Sequence, residues 1–230
     1  SLVLGSDGFA RVSYVDITNE NLKFVRCTDN DCTTRVIATV DNTGHIHRNT
    51  SLVLGADGFA RVSYLDDDND DLKFARCTNT DCTASVITTV ATDDGAYSSL
   101  RLGSDGFPRI SYYTGDLKHV RCTNADCTTK VISTPDSSGD VGRYSSLRLS
   151  SGGFGRIAYN DSSNKDLKYV QCDGNDCSPG ILPGDLGQGF QPTQSKPLSK
   201  VSLYLRKIGN PSDAIIRINA DSAGSPAIGF

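Results

Sequence analysis

Eight cysteines stand in pairs along this chain, and their spacing suits two different chemistries. Each pair encloses four residues of turn-forming type: TDND, TNTD, TNAD or DGND. A turn brings its flanking sulfurs within bridging reach, so the spacing predicts four local disulfides. The alternative is Cys₄ zinc sites shared by facing repeats, although zinc-binding pairs usually enclose two residues. The predicted disulfides are Cys27 with Cys32, Cys77 with Cys82, Cys122 with Cys127, and Cys172 with Cys177.

The same cysteines indicate a compartment, because disulfides persist in oxidising surroundings. We therefore expect an extracellular or cell-surface protein. The net charge of −4 gives no electrostatic footprint for a nucleic-acid partner. No apolar run approaches the roughly 18 residues of a membrane span, and no signal peptide is recognisable. The chain contains no Met and begins at Ser1 inside the first strand of a repeat, so we expect a processed or partly observed protein.

Carboxylates and amides supply two further kinds of candidate site. Asp66, Asp68 and Asp70 alternate as ligands do in calcium loops, and oxygen ligands suit this hard cation. No Glu follows at the EF-hand distance, so the alternative is a solvated turn that keeps a sheet edge soluble. Calcium is the one cofactor that the sequence suggests. Asn49 (NTS) and Asn160 (NDS) match the glycosylation sequon.

Catalytic chemistry is hard to assemble from these residues. The three histidines are His45, His47 and His119, and the His45/His47 pair lacks a third metal ligand at motif spacing. No nucleophile elbow, phosphate loop or dinucleotide fingerprint occurs. Paired carboxylates for glycoside hydrolysis remain an alternative, because the chain is rich in Asp. We expect no enzyme and predict no catalytic residue.

The elements that carry these residues are repeated four times. Copies begin at Ser1, Ser51, Ser99 and Ser146, and each has strand-like segments such as ARVSYVD and NLKFVRC, with no 3.6-residue stripe. Four antiparallel strands in about 50 residues match one propeller blade. The sequence therefore predicts an all-β fold: a β-propeller of four four-stranded repeats, each with a local disulfide hairpin. The propeller spans 1–177, with repeats at about 1–48, 49–96, 97–143 and 144–177.

Several residues recur at one slot in every copy, and we interpret most of them as structural. The phenylalanines and tyrosines are expected to pack between blades, with a ligand platform as the alternative. The arginines and lysines are expected to pair with recurring aspartates, the alternative being a cationic channel. These residues are Phe9, Phe59, Phe107 and Phe154; Tyr14, Tyr64, Tyr112 and Tyr159; Arg11, Arg61, Arg109 and Arg156; Lys23, Lys73, Lys118 and Lys168.

The strings SLVLGSDGFARVSY, SLVLGADGFARVSYLD and SLRLGSDGFPRISYY, each followed by an NLK or DLK element and the cysteine turn, resemble a known repeat. It is the SLALGSDGxPVISYYD repeat of bacterial secreted and cell-surface β-propeller proteins, and the resemblance covers residues 1 to about 177. It implies the propeller fold and a surface location. Sialidase propellers are more distantly similar, but GSDGF matches only half of their Asp-box and the chain has no Trp, so no sialidase residue is carried over.

After Cys177 the composition changes. Residues 178–197 are rich in Gly and Pro and are expected to form a linker. Residues 198–230 contain two alternating segments and are expected to form a β-hairpin or partial β-sandwich, similar to the start of a jelly-roll-like module. This segment is too short for a whole sandwich, and a propeller usually needs a closing strand.

The expected function follows from that shortage of strands. The leading hypothesis is an extracellular structural or scaffold protein of a bacterial surface assembly, a filament-forming subunit completed by strand addition from neighbouring copies. Its partners would be copies of itself or a larger surface polypeptide. The first alternative is a glycan- or ligand-binding extracellular propeller, and the second is a secreted hydrolase.

Overall fold

The computed structural model describes residues 1–93 and 95–178, which contain fifteen β-strands. The first sheet consists of β1 (Leu2–Leu4), β2 (Ala10–Asp16), β3 (Asn21–Cys27) and β4 (Arg35–Asp41). The second consists of β5 (Ile46–Leu54), β6 (Ala60–Asp66), β7 (Asp71–Cys77) and β8 (Ser85–Ala91). The third consists of β9 (Ala96–Leu102), β10 (Pro108–Tyr113), β11 (Leu117–Cys122) and β12 (Lys130–Asp136). The fourth consists of β13 (Val141–Leu149), β14 (Gly155–Asp161) and β15 (Asp166–Gln171).

Each sheet is an antiparallel meander, because short turns join strands that are consecutive in the sequence. The first turn of each repeat contains a glycine with positive φ, as at Gly58 (φ 76°), which is the conformation that the Asp-Gly pair favours. The turn between the second and third strands also needs one left-handed residue. Gly115 supplies it in the third sheet, whereas Glu20, Asp70 and Lys165 adopt it in the others.

Successive sheets pack face to face through apolar cores. Because side chains alternate along a strand, each internal sheet has a head face toward the preceding sheet and a tail face toward the following one. In the second sheet, Val62 and Tyr64 belong to the head face, and Leu72 and Phe74 belong to the tail face. The first strand of each following sheet, β5, β9 or β13, makes most of these contacts. Such contacts between sheets join the first sheet to the second, the second to the third and the third to the fourth.

An all-β fold of repeated antiparallel sheets is confirmed. The first strands of the second, third and fourth sheets begin at Ile46, Ala96 and Val141, slightly before the expected repeat boundaries at 49, 97 and 144. Three sheets have four strands, and the fourth has three within the described residues. The fourth repeat, expected at about 144–177 with four strands, has three strands there, whereas most of the linker at 178–197 and the hairpin at 198–230 lie outside the described residues.

Candidate functional site

The recurring arginines close the first turn of the first three repeats. Arg61 Nη2 donates a hydrogen bond of 2.7 Å to Asp57 Oδ2, and Nη1 donates to the carbonyl oxygens of Phe59, Ala60 and Cys77. Arg11 with Asp7 and Arg109 with Asp105 repeat this arrangement. The fourth repeat departs from it: Gly152 stands in the aspartate slot, and Arg156 donates to Tyr169 and Gln171. In the first three repeats, the hydrogen bonds of the arginine therefore stabilise the turn.

At two of the boundaries between sheets, a recurring lysine and a recurring tyrosine form a buried polar cluster with aspartates. Tyr64 Oη donates to Asp41 Oδ2 at 2.6 Å, across the boundary between the first and second sheets. Lys73 Nζ lies 2.6 Å from Asp66 Oδ2 and 3.9 Å from Asp41 Oδ2. Burial opposes ionisation of Asp66, but its bond to Lys73 holds its pKa below the usual value. The residues Asp136, Tyr159, Asp161 and Lys168 repeat the cluster between the third and fourth sheets.

Three series of polar bonds join the sheets in a fixed direction. The backbone N–H of Leu52 donates to Ser1 Oγ, and the same bond joins Leu100 to Ser51 and Leu147 to Ser99. Arg26 pairs with Asp81 of the next sheet, as Arg76 does with Asp126 and Arg121 with Asp176. Hydroxyls also meet across each boundary: Ser13 with Thr50, Ser63 with Ser98, and Ser111 with Ser145. Every inter-sheet boundary thus has the same set of partners.

All eight cysteines are joined in the four expected local pairs, with Cα–Cα separations of 4.6 to 4.9 Å. The second cysteine of each pair has positive φ, as at Cys82 (φ 54°), so the turn itself brings the sulfurs together. Cysteines joined in disulfides have no thiolate to offer a zinc ion. The four disulfides point to an oxidising, extracellular environment. Within residues 1–93 and 95–178, no helix is long and apolar enough to cross a membrane.

The calcium candidates have other partners in the structure. Asp66 is buried against Lys73, and Asp68 Oδ1 lies 3.4 Å from His45 Nδ1. Asp70 occupies the left-handed position of the turn. His45 Nε2 also lies 2.6 Å from Glu20 Oε1. In the described part of the chain, no three His, Cys, Asp or Glu side chains are placed to hold a metal ion.

The two sequons lie in strands. Asn49 is exposed in β5, where it lines an open cavity described below. Asn160 lies in β14, where its Oδ1 accepts a hydrogen bond from Ser162 Oγ and its Nδ2 donates to the carbonyl of Asp166. Of the two side chains, Asn49 is the more accessible to a modifying enzyme.

An open cavity of about 560 Å³ lies where the first strands of the sheets come together. Its walls are mainly hydroxyl-bearing, with serines or threonine from all four repeats and the three tyrosines Tyr14, Tyr97 and Tyr144. The rings of Tyr97 and Tyr144 lie 4.5 Å apart, centroid to centroid, and that of Tyr113 lies 6.0 Å from Tyr97. Sequence reasoning missed these rings. The available signal was the shared Tyr-Ser-Ser triplet at 97–99 and 144–146, where the second copy has Asn-Thr-Ser at 49–51.

One charged pair borders the tyrosines. Arg143 Cζ lies 4.7 Å from the centroid of the Tyr113 ring, and its Nη2 donates to Tyr113 Oη at 2.8 Å. Tyr113 Oη in turn donates to Asp140 Oδ1 at 2.7 Å, and Arg143 lies 3.3 Å from Asp140. Burial and the bond to Asp140 raise the pKa of Tyr113. The cation and the carboxylate therefore neutralise each other beside the cavity.

Comparison with known proteins gives a fold relationship only. No protein-family model and no curated protein matches the chain. A crystal structure of a protein of unknown function from Dyadobacter fermentans DSM 18053 is similar, with a TM-score of 0.54 and 16% identity over 69% of this chain and 47% of that one. A GH43 glycoside hydrolase, engineered to display endo-xylanase and exo-arabinofuranosidase activity, gives a TM-score of 0.41 and 13% identity over 76% of this chain and 43% of that one. This chain thus spans less than half the length of either protein.

Proposed function

We propose that this protein is a structural module of an extracellular bacterial surface assembly, whose sheets are blades of a β-propeller type and whose copies dock head to tail. The fourth sheet of one copy would pack on the first sheet of the next, with the geometry that already joins successive sheets within the chain. Such a contact is heterologous, so it builds an open filament unless its rotation closes a ring.

The observation that carries this proposal is the exposed head face of the first sheet. Leu2 is 61% exposed, whereas its equivalents Leu52, Leu100 and Leu147 are at most 2% exposed. Tyr14 is 38% exposed, and its equivalents Tyr64, Tyr112 and Tyr159 are likewise at most 2% exposed. Leaving such apolar side chains in water forgoes the burial that stabilises every other boundary. The residues that cover this face in the other repeats are those of a preceding sheet.

The fourth sheet offers the complementary tail face. Leu167 and Tyr169 occupy the slots of Leu22 and Phe24, which are buried against the second sheet, yet both are exposed. A second copy of this chain can therefore supply the face that the first sheet lacks. This matching of faces is the argument for a copy of the same chain as the docking partner.

The polar bonds of the boundary are only partly retained at the two ends. Asp31 is exposed in the slot of Asp81, ready to accept from a cation, and Ser146 is exposed in the slot of Ser51. However, Gln171 replaces the arginine and Ala158 replaces the serine of the hydroxyl pair. A glutamine amide can donate to Asp31, but it adds no charge. We therefore expect the contact between copies to be weaker than the contacts within the chain.

Sedimentation velocity and negative-stain electron microscopy of the full chain over a range of concentrations test this proposal. Wild type is expected to form concentration-dependent linear or ring-shaped oligomers, and Gln171→Arg should strengthen them by restoring the pair with Asp31. Adding Asp31→Asn to that variant should remove the gain. Tyr14→Glu should abolish assembly, whereas the control Ile87→Glu changes a side chain that is exposed although its sheet is internal. A wild type and a Gln171→Arg variant that both remain monomeric would refute head-to-tail docking.

A further inference from the structure

The tyrosines around the open cavity are placed at an energetic cost. Tyr97 and Tyr144 both have φ of 53°, the left-handed region that bulky L residues rarely adopt. Their strands carry register shifts at this point, between Ser111 and Tyr113 in one sheet and between Arg143 and Ser146 in the next. Backbone strain of this kind persists where the surrounding structure imposes it, and it is concentrated at binding and catalytic sites.

The packing of the fold does not account for Tyr144. Its side chain is 65% exposed, and the corresponding residue of the second sheet is the polar Asn49. A glycine would adopt this conformation without strain. What Tyr144 contributes is an exposed aromatic surface beside the ring of Tyr97.

The chemistry of the cavity selects a class of ligand. Tyrosine rings provide apolar faces, and the surrounding Ser, Thr and Asn side chains provide hydrogen-bond donors and acceptors. A purely apolar ligand would leave those polar groups unpaired. A cation finds the neighbouring Tyr113 ring already covered by Arg143. An anion finds Arg143 already paired with Asp140. A saccharide has both apolar ring faces and many hydroxyls, and a cavity of about 560 Å³ has room for a short one.

We propose that this cavity binds a neutral oligosaccharide, stacked on Tyr97 and Tyr144 and hydrogen-bonded by the hydroxyls of the wall. The site faces the place where the sheets converge. Tyr14 belongs both to its wall and to the exposed face of the first sheet, whereas the stacking rings, Tyr97 and Tyr144, belong to the third and fourth sheets. Binding of this kind would attach the assembly to a polysaccharide surface, which goes beyond a structural role.

The test uses the full chain and a panel of neutral hexasaccharides: cellohexaose, xylohexaose, mannohexaose, maltohexaose and chitohexaose. Tyrosine fluorescence can follow binding, because the chain has no Trp and three of its nine Tyr line the cavity, and calorimetry gives the affinity. At least one hexasaccharide is expected to bind wild type. Tyr144→Ala should raise its Kd by about tenfold, the value of one aromatic contact. Tyr169→Ala is the matched control, since that ring is also exposed but lies outside the cavity lining.

A second variant separates binding from folding. Tyr144→Gly relieves the left-handed strain, so its thermal midpoint should equal or exceed that of wild type while the saccharide affinity falls as in Tyr144→Ala. Absence of binding by all five hexasaccharides at millimolar concentration would overturn the proposal. Equal loss of affinity in the Tyr144 and Tyr169 variants would overturn it as well. Binding is measured at concentrations at which sedimentation velocity shows a monomer, because Tyr14 belongs both to the cavity and to the docking face. A failure of assembly and a failure of saccharide binding are then distinguishable.

Discussion

His119 is expected to make the free energy of unfolding depend on pH, and one substitution separates its contribution from that of the carboxylates. Its side chain is 1% exposed in β11, in the slot that Phe24 and Phe74 occupy in the first two sheets. Neither ring nitrogen has a hydrogen bond of ordinary geometry, although the backbone of Asp176 is near enough to favour the protonated ring slightly. Burial dominates and, with smaller contributions from Arg109 and Arg121, lowers the pKa of His119 to about 4.

The unfolded chain binds the proton of this histidine at a pKa near 6.5, whereas the folded chain binds it only near 4. Between these values the unfolded state holds more protons, so the free energy of unfolding falls as the pH falls. The contribution of His119 is fully present above pH 6.5 and is lost progressively down to about pH 4. At 1.36 kcal/mol for each pH unit, the loss amounts to ~3 kcal/mol.

The substitution His119→Phe places in the third sheet the residue that the first two sheets already have. Urea unfolding from pH 4 to 8 should show wild type losing about 3 kcal/mol more than the variant, because the carboxylates titrate alike in both and cancel in the difference. The reciprocal Phe74→His should introduce the same loss. With only three histidines, proton NMR can also follow the ring of His119 directly. Parallel stability curves for wild type and His119→Phe below pH 6.5 would refute the reasoning.

Three further predictions concern the turns. Replacing Cys77 and Cys82 together by Ala should lower the free energy of unfolding by about 2 kcal/mol, because the loop they close is short; chemical denaturation measures this, and an unchanged midpoint would contradict it. Asp57→Asn should cost about 1 to 3 kcal/mol, since it leaves the buried Arg61 without its carboxylate, while Asp173→Asn on the exposed surface serves as control. Lys165→Gly should stabilise the fold by about 0.5 to 1 kcal/mol, because Lys165 has φ of 58° where the third sheet uses Gly115. A lower thermal midpoint for the glycine variant would show that the Lys165 side chain matters more than its backbone strain.

The local parts of the fold could be predicted from the sequence. The pairing of Cys77 with Cys82 and the turn at Gly58 each depend on a few neighbouring residues. Equivalent residues recur in all four copies, which makes both patterns recognisable in the sequence. The candidate sites were harder to predict from the sequence. Asp66 alternates with Asp68 and Asp70 as calcium ligands do, but in the structure it pairs with Lys73 from the next strand, which also lies 3.9 Å from Asp41 of the preceding sheet.

The amino-acid sequence by itself determined the strands, the turns and the oxidising environment, because each is encoded by residue types at short spacing. Only the tertiary structure decided which equivalent residues are buried and which are exposed. Tyr14 and Tyr64 occupy the same slot, but one is exposed and the other is buried, since only the second has a sheet packed over it. Arg26 meets Asp81, 55 residues away, and Tyr97 meets Tyr144 for the same reason: sheets that are distant in sequence pack together.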